Sequence, residues 1–411
     1  MSRSIRHMTR RGVLVAGASA AALVGAGPFR RGQAQSAPLK VGVLHPTSGY
    51  LAQIGQACNR GCEAALPVLK ELGYPAVEIM NGDTESSPDI ARAAAERLIN
   101  AGAQVLVGAF ESGHTLAIAQ VAEQRGIPFV INIAAAPQIT EQGYKFVFRN
   151  FPRAGTIVGG TFDLQKQLFA ASNKTPTQCV VLHVNDTYGT AIKGAIDALF
   201  PRQNMPYKFA DFIAYDPRAR DLSVEVAKAK ATGAELVLAV SRLNDAILVT
   251  REMVKQRWEP WGVVAAGPGW YENQYMKTLG KLGDYPISCV PWFDPRKPLA
   301  QKMVNTHLKM FPGQTVDTNT VYSFEAMLIC ADAYKRAKSA APQALVEALK
   351  TTNIKDNASI GAGISFDAKG QNDTLGLAAV QNFGGEAKVV LPLASSERNL
   401  VFPVPGWRNR T

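Results

Sequence analysis

Between Val105 and Ala136 the chain reads VLVGAFESGHTLAIAQVAEQRGIPFVINIAAA, and this stretch restricts what the rest can fold into. Residues 105–108 are a short apolar run ending in glycine, the pattern of a buried parallel strand. Ser112 reads as the N-cap of a helix that continues to about Arg125, and Gly126-Ile127-Pro128 stops it. Residues 129–133 read as the next strand. Two loops therefore leave the carboxyl ends of neighbouring parallel strands, where open α/β sheets hold their ligands. One loop brings a serine hydroxyl and free backbone N–H groups at a helix start. The other, Ala134-Ala135-Ala136, has almost no side chain, so a ligand can lie against the backbone. The pair is a small-molecule cradle.

The same alternation of strand and helix extends on both sides. Strands are expected at 39–45, 77–80 and 146–150, with helices at 53–72 and 88–100. A second series begins near Thr156, with strands at 179–184, 207–213, 236–240, 262–266 and 287–293. Helices at 298–311, 320–338 and 341–351 follow, and the segment beyond Pro392 is expected to be weakly structured. With 411 residues the chain is too long for one core. Two β/α series, with sequence of the first type returning later, imply two doubly wound lobes joined by several crossings. The expected division is 38–149 plus 294–345 for the first lobe, 150–293 plus 346–392 for the second, and 393–411 for a tail.

The formal charge of +11 at pH 7 is dominated by the N-terminus. Six of the 44 basic residues lie in residues 1–34 with no acidic partner, leaving 38 basic against 33 acidic residues. No basic stripe for nucleic acid remains. Thr9-Arg10-Arg11-Gly12-Val13-Leu14 resembles a twin-arginine export motif, and a small-residue apolar run follows it to Gly27. Cleavage after Ala34 would release an exported, periplasmic chain. The alternative, a membrane anchor, needs a longer apolar run. Five cysteines lack zinc spacing and read mostly as small buried residues. His45, His114 and His183 lie at strand ends without metal-ligand spacing. No catalytic constellation stands out. Ser112 and His114, two residues apart at a helix start, lack an orienting third group. No cofactor and no enzymatic activity are expected.

The segment Val41-Gly42-Val43-Leu44-His45-Pro46-Thr47-Ser48-Gly49, together with residues 108–117, 128–148, Asp186-Thr187-Tyr188-Gly189 and Ser365-Phe366-Asp367, resembles the branched-chain amino acid-type substrate-binding proteins of ABC importers. The resemblance covers roughly residues 39–385, and its strength lies in the order and spacing of the segments. It implies a type I periplasmic binding fold: two Rossmann-like lobes, three crossover segments and a ligand cleft between them. It also implies a monomer that captures a small molecule by hinge closure and hands it to a membrane permease with its ATPase. A sensor of the same fold, signalling to a membrane receptor, is the alternative.

Carried over by position, Ser112 and Gly113 are expected to hold a ligand carboxylate, alongside the Ala134, Ala135 and Ala136 backbone. Ser112 as a helix cap is compatible with that role. The family's threonine hydroxyl in the latter loop is absent here. Tyr188 is the aromatic expected to close over the ligand, or else a surface tyrosine at a helix start. Pro268 stands where amino-acid-binding relatives commonly have an acid for the ligand ammonium, and that loss makes an ordinary α-amino acid a poorer fit. Glu111 and Asp245 are the two residues that could replace it. Arg242 could pair with a carboxylate, and Tyr50 and Trp270 could cover an aromatic body, with Asn244 near them. A solvated Arg242 and a capping Asn244 are the structural alternatives. The expected ligand is an aromatic or other organic acid, with amino acids, amides and urea-like solutes still open.

Overall fold

The computed structural model describes residues 37–410. The expected leader, residues 1–34, lies outside the described residues. Strands β1 (Leu39–His45), β2 (Val77–Asp83), β3 (Val105–Gly108), β4 (Phe129–Ile131) and β5 (Val147–Arg149) form one parallel sheet in the order β2-β1-β3-β4-β5. Helices α1 (Ala52–Glu71), α2 (Pro88–Asn100) and α3 (Ser112–Arg125) connect them. After α4 (Ala154–Ser172), a second sheet begins with β6 (Gln178–Val184), β7 (Lys208–Tyr215), β8 (Leu236–Val240), β9 (Gly262–Ala265) and β10 (Ile287–Pro291). Its helices are α5 (Thr187–Leu199), α6 (Ser223–Ala231), α7 (Leu243–Lys255) and α8 (Asn273–Leu279). The parallel part runs β7-β6-β8-β9-β10, the same winding as the first sheet. Each sheet thus has a switch point beside its first strand, with a crevice at the strand ends.

The chain then returns to the first lobe with α9 (Pro298–Met310), α10 (Thr318–Ala337) and α11 (Pro342–Lys350). Helix α10 packs against α1, β1, β3 and β4, and is buried around most of its circumference. A short pair, β11 (Asn353–Ile354) and β12 (Ile364–Ser365), precedes β13 (Leu377–Phe383), which is antiparallel to β10, and β14 (Glu386–Leu391) closes that edge. The chain crosses between the lobes after β5, after β10 and before β13. Glu325 of α10, fully buried, ties these crossings together. It accepts from Asn150 Nδ2 at 2.8 Å, Ser359 N at 2.7 Å and Ala358 N at 2.9 Å. Asn372 Nδ2 in turn donates to Asn150 Oδ1 at 2.8 Å.

Three expectations need correction. The strand after α3 stops at Ile131, because Asn132 turns its Oδ1 onto the Ile133 N–H at 2.8 Å and its Nδ2 toward Ser323 Oγ at 2.8 Å. The boundary at 345/346 cuts through α11, which packs on α10. The tail beyond Pro392 is anchored rather than loose. Phe402 is buried against Phe169 and Trp261, and the Val404 N–H donates to the Trp261 carbonyl at 2.8 Å. Trp407 Nε1 donates to the Trp258 carbonyl at 2.8 Å. A Pro-rich segment cannot pair as a regular strand, but aromatic side chains give it enough buried area to stay in place.

All five cysteines are buried free thiols. Burial pushes the Cys58 and Cys289 thiols up to about 12 and raises the other three as well. No helix among the described residues is long and apolar enough to cross a membrane.

Candidate functional site

A cavity of about 500 Å³, mouth included, lies at the carboxyl ends of the strands between the two lobes. From the first lobe Phe110, Ser112, Ile133, Ala134 and Ala135 line it, and Phe151 and Ile157 follow from the first crossing and α4. The second lobe contributes Tyr188, Arg242, Gly267, Pro268, Tyr271 and Val290, and the first turn of α10 contributes Thr318 and Asn319. The lining is apolar except at a few points, as is usual for small-molecule sites.

One of those points is the cradle. The Ser112 Oγ accepts from the Ala136 N–H at 3.3 Å, which leaves its own proton free to donate. All three carbonyls of the alanine loop are already engaged. Arg149 Nη1 donates to Ala134 O at 3.0 Å and Ala136 O at 2.7 Å, and the Ala154 N–H donates to Ala135 O at 2.8 Å. The N–H groups of Ala134 and Ala135 have no acceptor among the described residues. Two residues with unpartnered amides and a hydroxyl donor therefore line one part of the cavity, a set of donors suited to an anion. Behind them Arg149 is fully buried, and no carboxylate pairs with it among the described residues. Burial lowers its pKa to about 9, so it remains a cation at neutral pH.

Glu111, not Ser112, caps α3: its Oε2 accepts from Gly113 N at 2.6 Å and His114 N at 3.1 Å. Its Oε1 meets Arg242 Nη2 at 3.2 Å, and Arg242 Nη1 donates to Asp186 Oδ2. Asp186 also caps α5 through Gly189 N at 2.9 Å. Arg242 thus lies between two carboxylates, one from each lobe. Burial alone would lower its pKa, but those carboxylates outweigh burial and hold it above the ordinary arginine range. Its guanidinium sits 5.2 Å from the centre of the Tyr188 ring.

This geometry corrects several expected roles. Arg242 lines the cavity, but its charge is already neutralised, whereas Arg149 behind the alanine loop has no carboxylate partner among the described residues. Neither substitute for the missing acid is free. Glu111 is engaged as above, and Asp245 accepts from the Arg242 N–H at 2.9 Å and the Tyr215 hydroxyl at 2.6 Å. Trp270 points into the second lobe, 1% exposed, with Nε1 donating to Ser241 Oγ at 3.1 Å, and Tyr271 faces the cavity instead. Tyr50 and Asn244 border a smaller side cavity, where Asn244 Nδ2 donates to the Tyr50 carbonyl at 3.1 Å across the cleft. Gly113 and Ala136 sit beside the cavity rather than in its lining. Ser112, Ala134, Ala135, Tyr188 and Pro268 do line it. At Gly267, with φ 147°, an added Cβ would stand 1.8 Å from the Tyr188 hydroxyl, so only glycine allows the tyrosine to donate to the Ala266 carbonyl at 2.8 Å.

Phe151, Ile157, Tyr271, Val290, Thr318 and Asn319 are lining residues that sequence reasoning missed. Phe151, Ile157, Thr318 and Asn319 come from a crossing and two helix starts, which carry no local signal, while Tyr271 and Val290 come from the loop after β9 and from β10. Each of the histidines His45, His114 and His183 meets a neutral hydrogen-bonding partner. His45 Nδ1 meets Asn59 Oδ1 at 2.8 Å, His114 meets Thr84 at 3.4 Å, and His183 meets the Val184 carbonyl at 3.2 Å. No cluster of metal-ligating side chains occurs among the described residues.

A second, polar cavity adjoins the first, between Arg60, Glu272 and Asp317. Burial, with the Asp317 carboxylate nearby, pushes the Glu272 pKa up from 4.5 to about 8. The folded chain then holds this proton where the unfolded chain has lost it, so stability falls as pH rises from about 4.5 to about 8. Glu272→Gln keeps an acceptor for the Gly269 N–H, now at 3.0 Å, but cannot ionise. The melting temperature of this variant should exceed that of the wild type by a margin that widens between about pH 5 and about pH 8. A constant margin would show that Glu272 titrates in its ordinary range.

Two doubly wound lobes, joined by three crossings around a ligand-sized cleft, define a type I periplasmic binding protein. The chain belongs to the periplasmic binding protein family, which matches residues 38–384. It is 25% identical over 406 residues, 95% of this chain and 99% of the relative, to the Leu/Ile/Val-binding protein homolog 7 of Brucella suis biovar 1 (strain 1330). Among solved structures it resembles the branched-chain amino acid transporter substrate binding protein LivJ of Streptococcus pneumoniae in complex with isoleucine. That likeness has a TM-score of 0.74 at 16% identity and covers 89% of this chain and 100% of the other. It also resembles an ABC transporter solute binding protein of R. palustris in complex with benzoate, with a TM-score of 0.72 at 19% identity, covering 90% of this chain and 97% of that one. The family is one of substrate-binding proteins and not of enzymes.

Proposed function

We propose that this chain is the exported, periplasmic solute-binding component of an ABC importer. It captures a small carboxylate by hinge closure and delivers it to a membrane permease, without catalysis and as a monomer. The observation that carries the ligand class is the cradle: Ser112 Oγ and the Ala134 and Ala135 amides with unmet donors, backed by the unpaired Arg149. Such an arrangement stabilises a carboxylate through charge-assisted hydrogen bonds in a dry site. The two ligands named for the solved relatives, isoleucine and benzoate, share a carboxylate and an apolar body. Of the two, the benzoate type is favoured, because among the described residues no Asp or Glu lines the cavity to pair an ammonium.

Closure joins Glu111 to Arg242 and Tyr50 to Asn244 across the cleft, and the closed pair of lobes is the form a permease would recognise. Calorimetry with aromatic and aliphatic carboxylates, amides and urea tests this reading. Carboxylates should bind, and Ser112→Ala should weaken them about tenfold while costing about 1 kcal/mol of stability through the orphaned Ala136 N–H. Unchanged affinity in Ser112→Ala, or binding confined to uncharged solutes, would remove the cradle from the site.

A further inference from the structure

One side chain in the cavity lining has hydrogen-bonding capacity that the protein leaves unmet. Asn319 is 1% exposed, and its Oδ1 has no donor partner among the described residues. Its orientation is fixed from behind: Nδ2 donates to Asp317 Oδ2 at 3.3 Å. A carboxylate only accepts, so the amide must turn its NH₂ to Asp317 and its oxygen elsewhere. Asp317 is itself held at the start of α10, accepting from the Asn319 and Thr320 N–H groups at 2.9 and 3.2 Å.

Asn319 borders both the apolar cavity and the polar one, at the wall between them. Apart from Ser112 of the cradle, the lining side chains Tyr188, Thr318 and Arg242 are occupied. The Tyr188 hydroxyl donates to Ala266 O, the Thr318 hydroxyl donates to Pro291 O at 2.6 Å, and Arg242 serves two carboxylates. Buried acceptors without a partner are few in native structures and call for an explanation.

We propose that Asn319 Oδ1 accepts a hydrogen bond from a hydroxyl or amide N–H of the ligand, so that the captured molecule is a small carboxylate bearing a neutral donor. This rests on the carboxylate reading above and narrows it. Ser112 and the Ala134 and Ala135 amides donate to the carboxylate, and Asn319 accepts from a second group on the same molecule. A neutral donor fits better than an ammonium because no carboxylate among the described residues lines the cavity. Selectivity follows from the burial of the acceptor: an analogue lacking the donor leaves Oδ1 dry and unpaired.

The test is calorimetry with matched pairs on the wild type and on Asn319→Leu, which is similar in volume and cannot accept. Suitable pairs are benzoate with meta- and para-hydroxybenzoate, and isocaproate with its alpha-hydroxy counterpart, with leucine as the ammonium arm. In the wild type at least one hydroxy acid should bind roughly tenfold or more tightly than its partner, and Asn319→Leu should abolish or reverse that preference. Equal binding of the members of every pair by the wild type overturns the inference and leaves the carboxylate reading standing. So does a preference that survives in Asn319→Leu. If only uncharged solutes bind, the carboxylate reading fails, and loss of their binding in Asn319→Leu would still support Asn319 as the acceptor. Retained binding would overturn it. If the variant does not fold, the wild-type pairs alone decide.

Discussion

Arg242→Met should weaken ligand binding by roughly two orders of magnitude while leaving the unliganded protein folded. Arg242 stands between Asp186 of its own lobe and Glu111 of the other, and its side chain is 6% exposed. Removing one partner from a buried ion network costs about 3–5 kcal/mol, because the remaining charges stay buried without compensation. Here the loss is conditional on closure. In the open form Glu111 and Asp186 can reach water, so the cost falls mainly on the closed, ligand-holding state. A loss of about 3 kcal/mol from closure corresponds to roughly a hundredfold loss of affinity. Calorimetry reads the affinity, and small-angle scattering with and without ligand reads the closure. Glu111→Gln combined with Arg242→Met should recover part of the loss, since one of the two stranded charges is gone. Wild-type affinity in Arg242→Met would mean that closure does not depend on this bridge.

Arg149→Met should be the most damaging single change for stability, by about 3 kcal/mol or more. Arg149 donates to Ala134 O, Ala136 O, Gln371 Oε1 at 2.6 Å and Thr140 Oγ1 at 2.9 Å. Methionine fills a similar volume but strands these acceptors in a fully buried place, at about 1–3 kcal/mol for each left unsatisfied. Removing the buried charge returns some of its desolvation cost, which keeps the net below the sum. The loop carbonyls would then be free to turn into the cavity, so carboxylate binding should disappear along with the stability. Urea unfolding measures the first effect and calorimetry on the surviving folded protein the second. Arg149→Lys keeps the charge but carries one donor group in place of a planar fork, and should fall between the two. Unfolding of Arg149→Met at the wild-type urea midpoint would show that the loop holds its conformation without the arginine.

The winding of both lobes was legible in the sequence because buried parallel strands and amphipathic helices differ in period and length. The alanine loop was legible too, since missing side chains at a strand end are themselves the signal. The polar chemistry around it was not. Arg149 closes a short strand and reads like any solvated arginine; its burial follows only once the 134–136 carbonyls are folded over it. Serine is the stronger N-cap by preference, yet Glu111 takes that place because its second oxygen finds Arg242, which is 131 residues away. Trp270 and Tyr271 exchange roles through a single step of backbone direction, set by the turn at Gly267 and Gly269, with φ 147° and 100°. Asn319 stands one position before the start expected for its helix, 320–338, and reaches the cavity from the first turn of α10.

The buried thiols give this molecule its own unfolding clocks. Cys58 and Cys62 lie in α1 of the first lobe and Cys179 and Cys289 in the second sheet. Protonated and shielded, they react with an alkylating reagent only when their surroundings open. Mass-resolved labelling of the unmodified chain would therefore time the opening of each lobe separately, and would show which of the two a bound ligand slows.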